Sequence, residues 1–404
     1  MVQPRDSSGI EGVDAITDER PSLAIDLFSD AAIQDPHPAY RAVRDRASAV
    51  WLPLHDVWAI GRHSEVRAAL RAEATLVSGR GVGLTALINA QPGRTTLMSD
   101  GDLHRRRRGV LMKPMMPSAL KQVRPHVDAL AHALVEDLLA RESFDGIADF
   151  SRHLPVAVVS HLVGLPEEGR EHMLDWAAAT FNALGPRNAR AEAAGPTLVA
   201  MIQYAIGVER ARLPSDGWAA QLFDAVDEGK LDAEDAPGLL IDYIAPSLDT
   251  TILATGHLLY QLGTNPEQYD RVRESPELIP SAVGEALRVG SPVRGFTRFA
   301  LSPYEADGVS IPEGERVLIL YGAANRDERR YESADRFDVK RDTRDHVAFG
   351  HGVHRCAGGH LAQLEMEALL RALVSKVRSI EVGEPRVLMS NMLHGYQSFS
   401  ASFH

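Results

Sequence analysis

Cys356 is the only cysteine in this chain of 404 residues, and its neighbours suit a sulfur that binds a metal. Gly352 and Gly358 lie on either side of it, and glycine allows the backbone to approach a flat ligand closely. Residues 359–377 are predicted to form a helix, because their apolar residues recur on one face. Free N–H groups and the helix dipole stabilise a thiolate at such a helix start. The pattern predicts an anionic sulfur ligand; an inert buried cysteine is the alternative.

A second candidate is the pair Asp249-Thr250, which lies inside the longest predicted helix, residues 234–262. Pro246 lacks an N–H, so the carbonyl of Asp242 loses its helical partner and we expect a kink. A carboxyl group next to a hydroxyl in a kinked helix is suited to move protons. The structural alternative is that these polar groups bond only to their own backbone.

The spacing of Phe349, Gly352, Cys356 and Gly358 resembles the haem-binding loop of the cytochrome P-450 superfamily, the haem-thiolate monooxygenases. Further motifs of that family follow in its order, from about residue 50 to the C terminus. The resemblance implies a mainly α fold with a small β region in a single domain. It also implies haem b (iron protoporphyrin IX) as the cofactor, with Cys356 as the ligand to the iron and Phe349 in the binding loop.

The resemblance implies further roles for motif residues. His104 and Arg108, four residues apart on one helical face, match a pair that binds haem propionates, and Arg298 and His354 match two further propionate contacts. Asp249 matches the residue that relays protons, and Thr250 the residue that orders water where dioxygen binds. Ser247 departs from the family pattern, which has glycine at that position.

A structural motif of the family is also present. Glu285 and Arg288 match a pair that meets a second arginine in a buried network bracing the cysteine loop, and Arg336 fits the second arginine. His351 and His354 lack the further ligands and the spacing of a zinc site.

Composition limits the remaining possibilities. A net charge of −12 disfavours nucleic acid and anionic membrane surfaces as partners. Residues 1–18 are polar and acidic without an apolar core, so we expect a cytoplasmic protein with a flexible tail, residues 1–20, before one domain, residues 21–404. No flavin or iron–sulfur motif is present in the sequence. Electrons are therefore expected from NAD(P)H through a separate ferredoxin and ferredoxin reductase, and residues 105–107 with Lys113 are a candidate basic patch for that partner.

Two stretches indicate the substrate. Residues 78–84 and 181–186 resemble bacterial family members that demethylate small methoxy-aromatics. Arg94 matches the arginine that binds the carboxylate in the benzoate enzymes, but Leu97 and Asp242 fall where serines are expected. An anionic Asp242 would repel a benzoate and accept a hydrogen bond from a phenol.

We therefore predict dioxygen-dependent O-demethylation of a small aromatic substrate, a methoxyphenol of the alkylguaiacol type, with release of formaldehyde; para-methoxybenzoate is second. The predicted apolar walls, each of which could instead be plain core, are Leu97, Phe181, Leu184, Ala245, Val293, Phe296 and Leu393. The alternatives are hydroxylation of a terpene, fatty acid or polyketide, and a haem carrier or sensor that does not oxygenate. A dinucleotide site in the glycine run 78–84 is disfavoured, because no strand or distant acid supports it; a flexible loop near the substrate is expected there.

Local patterns also predict elements that position these residues. Helices are expected at residues 37–47, 118–140, 154–163 and 168–184, from apolar residues at three- and four-residue steps. A hairpin is expected from residues 50–53 and 57–60, and a strand at 316–321.

Overall fold

The computed structural model describes residues 20–90 and 94–404. The predicted flexible tail therefore lies, apart from Arg20, outside the described residues. Helices dominate the described part, which confirms the mainly α class. They are α1 Asp30–Gln34, α2 His37–Arg46, α3 His63–Arg71, α4 Ala86–Asn89, α5 Gly101–Leu111, α6 Pro117–Leu139, α7 His153–Val163, α8 Glu167–Arg170, α9 Met173–Ala183, α10 Ala189–Gly207, α11 Trp218–Asp227, α12 Ala236–Ile244, α13 Asp249–Thr264, α14 Pro266–Glu274, α15 Ile279–Gly290, α16 Tyr321–Ala324 and α17 Gly359–Lys376.

The strands are short. They are β1 Val50–Leu52, β2 Val57–Ile60, β3 Leu76–Val77, β4 Phe144–Asp145, β5 Gly295–Ala300, β6 Tyr304–Ala306, β7 Val309–Ile311, β8 Arg316–Leu320, β9 Ile380–Val382, β10 Arg386–Val387, β11 Tyr396–Ser398 and β12 Ser400–Phe403. The largest sheet has the order β1-β2-β8-β5-β3, in which β2 and β8 are parallel and the other neighbours antiparallel. This sheet borders one side of the helical core.

The periodicity predictions hold for most elements. The predicted hairpin is β1 and β2, with Val50 opposite Ala59. The helix predicted for residues 118–140 is α6, which contains Pro125 without a delayed start. Residues 168–184 form two helices, α8 and α9, rather than one. Since regular apolar spacing reports burial, these elements were readable from local sequence.

The long helix predicted for residues 234–262 is interrupted, and not merely kinked. α12 ends at Ile244 and α13 begins at Asp249, and the four residues between them form turns and bends that belong to neither helix. Pro246 lacks the N–H that would continue α12. The hydroxyls of Ser247 and Thr250 donate to the carbonyls of Ile244 (3.3 Å) and Pro246 (3.1 Å), so side chains replace part of the missing backbone bonding. The interruption makes α12 and α13 separate elements.

A buried ion pair holds α15 to the segment that precedes the cysteine loop. The guanidinium of Arg288 donates twice to the Glu285 carboxylate, at 2.7 and 2.8 Å, and both side chains are fully buried. Its other N–H groups donate to the backbone carbonyls of Asn325, Ala334 and Arg336. The network predicted from the sequence is therefore present.

The second arginine of that network is Arg341, and the prediction of Arg336 was wrong. Arg341 donates to Oε1 of Glu285 at 3.1 Å, whereas Arg336 is exposed and contributes only its carbonyl. Arg341 also donates to the carbonyls of Glu332 and Ser333. The two arginines end two successive turns, closed by the N–H of Arg336 on the Ser333 carbonyl and the N–H of Arg341 on the Asp338 carbonyl, and only the second turn directs its arginine towards Glu285.

The network reaches the cysteine loop through Asn325. Its carbonyl accepts from Arg288, its Oδ1 accepts from the backbone N–H of Val347 at 2.8 Å, and its Nδ2 donates to Ser291. Val347 lies two residues before Phe349. The buried charge of Arg288 thus positions the backbone that leads to the cysteine loop.

Among the described residues, no helix is long and apolar enough to cross a membrane.

Replacing Arg341 by Gln should lower the free energy of unfolding of the protein by about 1–3 kcal/mol, because a buried carboxylate oxygen loses a charged donor. The matched variant R336Q should change it by less than about 0.5 kcal/mol, since that side chain is exposed. Urea unfolding of both variants measures the difference. A larger loss of unfolding free energy in R336Q than in R341Q would instead support Arg336 as the second arginine of the network.

Candidate active site

A largely apolar cavity lies between the cysteine loop, the α12–α13 interruption and β5. Its lining includes eleven of the site residues predicted from the sequence: Leu97, Arg108, Phe181, Asp242, Thr250, Val293, Phe296, Arg298, Phe349, His354 and Cys356. These residues come from α5, α9, α12, α13, β5 and the connecting segments. The tertiary structure therefore brings together groups that are more than two hundred positions apart in the chain.

The cysteine loop presents its sulfur to this cavity. The Cys356 N–H donates to the carbonyl of Phe349 at 2.8 Å, which closes the loop, and Gly352 has a φ of +71°. A Cβ on Gly352 would lie 2.4 Å from the carbonyl oxygen of Leu70, so a larger residue cannot occupy this turn. Burial raises the pKa of the Cys356 thiol, while the N–H groups of Gly358 and Gly359 and the charge of Arg108 oppose that shift. The exposed face of Cys356 opens into the cavity.

The surrounding donors fit the propionates of a haem. The Nε2 atoms of His104 and His354 are buried without a hydrogen-bond partner among the described residues, although Oδ1 of Asp100 lies 3.8 Å from that of His354, and the two ring centroids are 4.2 Å apart. Arg298 is buried and donates to the carbonyl of Thr297, and Arg108 donates to the carbonyl of Arg355. Buried donors without a partner are costly, and anionic carboxylates beside them would remove that cost. A flat ligand bound through the Cys356 sulfur with its acidic edge here suits these residues.

The predicted proton-carrying pair divides between two sides of α13. Thr250 lines the cavity, and its hydroxyl donates to the Pro246 carbonyl. Asp249 is outside the cavity lining, and its electrostatic neighbours are Arg152 and Asp175. Burial raises the pKa of Asp249 to about 7, with Arg152 opposing and Asp175 adding to the shift. An acid with this pKa can both give and accept a proton near neutral pH.

Asp242 is a charged acceptor in an apolar part of the cavity. Its Oδ2 accepts from the backbone N–H of Thr96 at 2.5 Å. Burial raises its pKa to about 6, opposed by the Thr96 hydrogen bonds and by the charges of Arg107 and Arg108. The nearby lining residues Leu97 and Phe181 provide apolar surface.

Four residues predicted to bind substrate lie outside the cavity lining. Arg94 pairs with Glu234 and lies 3.7 Å from Asp235, so its guanidinium is held by acids instead of facing the cavity. Ala245 is buried in the main helical core, and Leu184 and Leu393 belong to a second apolar cluster. Leu393 pairs with the lining residue Val293 through an isolated β-bridge but does not itself line the cavity.

The glycine run 78–84 also differs from its predicted position. None of its residues lines the cavity. Asp100 accepts from the N–H groups of Ser78 and Gly79, and Thr297 bonds to the carbonyls of Val82 and Gly83. These bonds tie the loop to neighbouring segments.

The basic run on α5 does not form one exposed patch. Arg107 is buried and donates to Asp235 at 2.7 Å, while Arg106 pairs with Asp232 at 2.5 Å. Arg105 pairs with Asp102, and Lys113 is exposed. The charges of residues 106 and 107 are therefore neutralised by acids that precede α12.

Sequence reasoning missed several lining residues, of which Glu365 is the most unusual. It is 1% exposed, its Oε1 has no hydrogen-bond partner, and burial raises its pKa to about 8. Glu365 lies four residues after the cavity residue Leu361, so both share one face of α17. The sequence signal for Glu365 was an acidic residue on the apolar face of the helix predicted for residues 359–377. Other lining residues missed are Thr96, Trp218, Tyr243, Thr251 and Tyr321.

Comparisons with known proteins agree with this geometry. Residues 210–385 match the family described as Cytochrome P450. The chain is 37% identical to Cytochrome p450 CYP199A2 of Rhodopseudomonas palustris, over 94% of this chain and 93% of the relative. It is 31% identical to the beta-dihydromenaquinone-9 omega-hydroxylase of Mycobacterium tuberculosis, over 91% of this chain and 75% of the relative.

The fold is also similar to that of solved structures. The solved structure of epothilone D-bound Cytochrome P450epoK superposes with a TM-score of 0.83 at 25% identity, and covers 94% of this chain and 99% of that one. Similarity over nearly the full length, together with a cysteine that faces a cavity with unsatisfied donors, leads to one assignment. This chain belongs to the cytochrome P450 family and is an oxidoreductase of the haem-dependent monooxygenase type.

Proposed function

We propose that this cytochrome P450 removes the methyl group of a small methoxyphenol, of the alkylguaiacol type, and releases formaldehyde. Para-methoxybenzoate is the second candidate substrate. The observation that carries this choice is the pair of positions taken by Asp242 and Arg94: the carboxylate lines the cavity and the guanidinium does not. A phenol can donate to a carboxylate, whereas a benzoate would be repelled by it.

The apolar lining is consistent with an aromatic ring. Leu97, Phe181 and Phe296 lie on the cavity wall, and the Phe181 and Phe296 ring centroids are 6.4 Å apart. Aromatic side chains at this spacing favour edge or offset contacts with a substrate ring. A purely aliphatic substrate would use the same wall but would leave Asp242 with only its hydrogen bonds to Thr96, and the rest of the carboxylate would be desolvated without a donor.

The reaction balances with dioxygen and two electrons. One oxygen atom is inserted into a C–H bond of the methoxy group and the other leaves as water, with two protons consumed. The resulting hemiacetal breaks between the aryl ether oxygen and the CH2 carbon. This cleavage releases formaldehyde and leaves a phenol hydroxyl group in place of the methoxy group. Cys356 would hold the haem through its thiolate, and the haem would supply the redox chemistry of O–O cleavage.

The protein residues have separate tasks in this proposal. Asp242 accepts a hydrogen bond from the phenol, and the apolar wall orients the methoxy group and excludes water. Asp249 carries protons from the side of Arg152 and Asp175, and the Thr250 hydroxyl orders water at the other end of that path. Electrons come from NAD(P)H through a separate ferredoxin and its reductase.

The ligand role of Cys356 is tested by C356A. This variant should lose the thiolate-type spectrum of the carbon monoxide complex, because no other thiol is present in the chain. Absorption spectra of the reduced protein under carbon monoxide measure this loss, with R336Q as a control that keeps the spectrum. A thiolate-type spectrum in C356A would contradict the assignment.

The substrate is tested with a panel of haem spin-shift titrations and formaldehyde assays. A 4-alkylguaiacol should give the larger shift and yield formaldehyde, and para-methoxybenzoate should bind more weakly. D242N should weaken guaiacol binding about tenfold, because a charged hydrogen bond is lost. Terpenes, fatty acids and polyketides complete the panel; no response to any methoxy-aromatic would sink the substrate proposal.

The same titrations have a pH dependence. Since the Asp242 pKa is about 6, guaiacol affinity should fall as the pH is lowered through about 6, where the acceptor becomes protonated. D242N should lack this dependence. An identical pH profile of guaiacol affinity in wild type and D242N would show that Asp242 does not bind the substrate.

The proton-carrying role of Asp249 is tested by D249N. Turnover should fall on the order of 100-fold while the carbon monoxide spectrum and guaiacol affinity persist, because only proton transfer is impaired. Wild-type turnover should decline as the pH rises above about 7, where Asp249 loses its proton. D249E should restore part of the rate; full turnover in D249N would exclude the role.

A further inference from the structure

Three arginines converge on one buried carboxylate beside the polar wall of the cavity. Asp235 is 1% exposed and directly precedes α12. Its Oδ1 accepts from Arg107 at 2.7 Å and lies 3.7 Å from Arg94, and its Oδ2 accepts from Arg106 at 3.3 Å. A buried carboxylate needs such partners, and a guanidinium used in this way is less available to other anions.

These arginines are close to the segment that carries the cavity wall. Arg107 also donates to the carbonyl of Thr95 at 3.4 Å, and Arg94 is the first described residue of that segment. Thr96 and Leu97 line the cavity, and the N–H of Thr96 donates to Asp242. Asp235 and Asp242 therefore hold the same short segment, one from the buried cluster and the other from the cavity.

The backbone of this segment is packed tightly against α12. A Cβ on Gly238 would lie 2.4 Å from the carbonyl oxygen of Arg94 and 2.6 Å from its carbonyl carbon. Arg94 thus lies against the first turns of α12, where its guanidinium reaches Glu234 and Asp235 and does not enter the cavity lining. The position of its charge depends on these two acids.

The fourth arginine of the run has other partners. Arg108 lines the cavity, but it donates to the carbonyl of Arg355 beside the cysteine. Asp242 accepts a backbone N–H and forms no ion pair with an arginine among the described residues. The polar wall is therefore left with a carboxylate whose nearest cations are directed elsewhere.

We propose that Asp235 sets the charge selectivity of the substrate cavity, by holding Arg94, Arg106 and Arg107 so that Asp242 remains the charged group of the polar wall. Asp235 is a positioning residue, since it acts through these arginines. The inference deepens the proposed function and rests on it for the role of Asp242. The wild-type cavity prefers a ligand with a neutral donor to one with a carboxylate, and removal of the Asp235 charge shifts this preference towards the carboxylate.

The test measures a ratio of affinities instead of turnover. 4-(Imidazol-1-yl)phenol and 4-(imidazol-1-yl)benzoate bind haem iron through the same imidazole, and differ in the polar group at the far end. Each is titrated by the haem absorption shift into the haem-loaded wild type and D235N. The wild type should prefer the phenol, and D235N should shift the ratio about tenfold towards the carboxylate, because freed arginines attract it.

Asp232→Asn is the matched control. Asp232 accepts from Arg106 but its side chain is 64% exposed, and it has no contact with Arg94 or Arg107 in the described structure. D232N should leave the ratio unchanged, because an exposed ion pair contributes little. An equal loss of affinity for both ligands in D235N would assign Asp235 a structural role only, and an unchanged ratio would overturn the proposal.

A second variant guards against misfolding. Arg107 is buried, so D235N leaves an unpaired charge that can prevent haem loading. D235N/R107Q removes that charge and still takes from Arg94 and Arg106 one of the two acids that hold each of them, so its ratio should shift in the same direction by a smaller factor. If this variant loads haem and keeps the wild-type ratio, the proposal is wrong.

The imidazole pair also separates this proposal from the proposed function. Formaldehyde release from guaiacols tests the reaction, whereas the ligand ratio tests the charge of the wall. Absence of demethylation with the predicted shift in ratio would reject the substrate and retain the role of Asp235. Demethylation with an unchanged ratio would do the reverse.

Discussion

The buried guanidinium of Arg288 is the interaction on which the active site depends. A charge without access to water must have all its donors satisfied, and five N–H groups of Arg288 meet Glu285 twice and three backbone carbonyls. Those carbonyls belong to the segment between β8 and the cysteine loop. Asn325 extends the network to Val347, close to the loop itself. The position of the Cys356 sulfur therefore depends on the Arg288 charge, which is buried and has no access to water.

The interruption between α12 and α13 divides the cavity lining that faces the cysteine loop into two parts, one on each helix. Asp242 and Tyr243 belong to α12, while Thr250 and Thr251 belong to α13. Tyr243 donates to the carbonyl of Leu111 at 2.8 Å, which holds α12 to the end of α5. α13 packs instead against the π-helical turn Gly146–Ser151 and α15. Since Pro246 removes the backbone bond that would join the two helices, the α12 and α13 parts of the cavity lining have different structural supports.

Charge is distributed around the cavity by pairing as much as by sequence. Four consecutive arginines on α5 have three different destinations: a surface acid, the buried Asp235 and the cysteine loop. The net charge of −12 is thus a poor guide to the field inside the cavity. Burial acts on Asp242, Asp249 and Glu365 in the same direction, and raises the pKa of each towards the neutral range. An acid with such a pKa can change protonation state near neutral pH, whereas an exposed carboxylate stays ionised there.

Local sequence determined the cysteine loop, most helices and the Asp249-Thr250 pair, because these features depend on the identity and spacing of neighbouring residues. It also determined that Pro246 disturbs the long helix, although the extent of the disturbance required the backbone course on both sides. Only the tertiary structure decided that Arg341 and not Arg336 meets Glu285, that Arg94 turns towards Glu234 and Asp235, and that Val293 lines the cavity while its bridge partner Leu393 does not. The physical reason is that side-chain direction depends on which distant segments pack together, and residue spacing carries no information on those long-range distances.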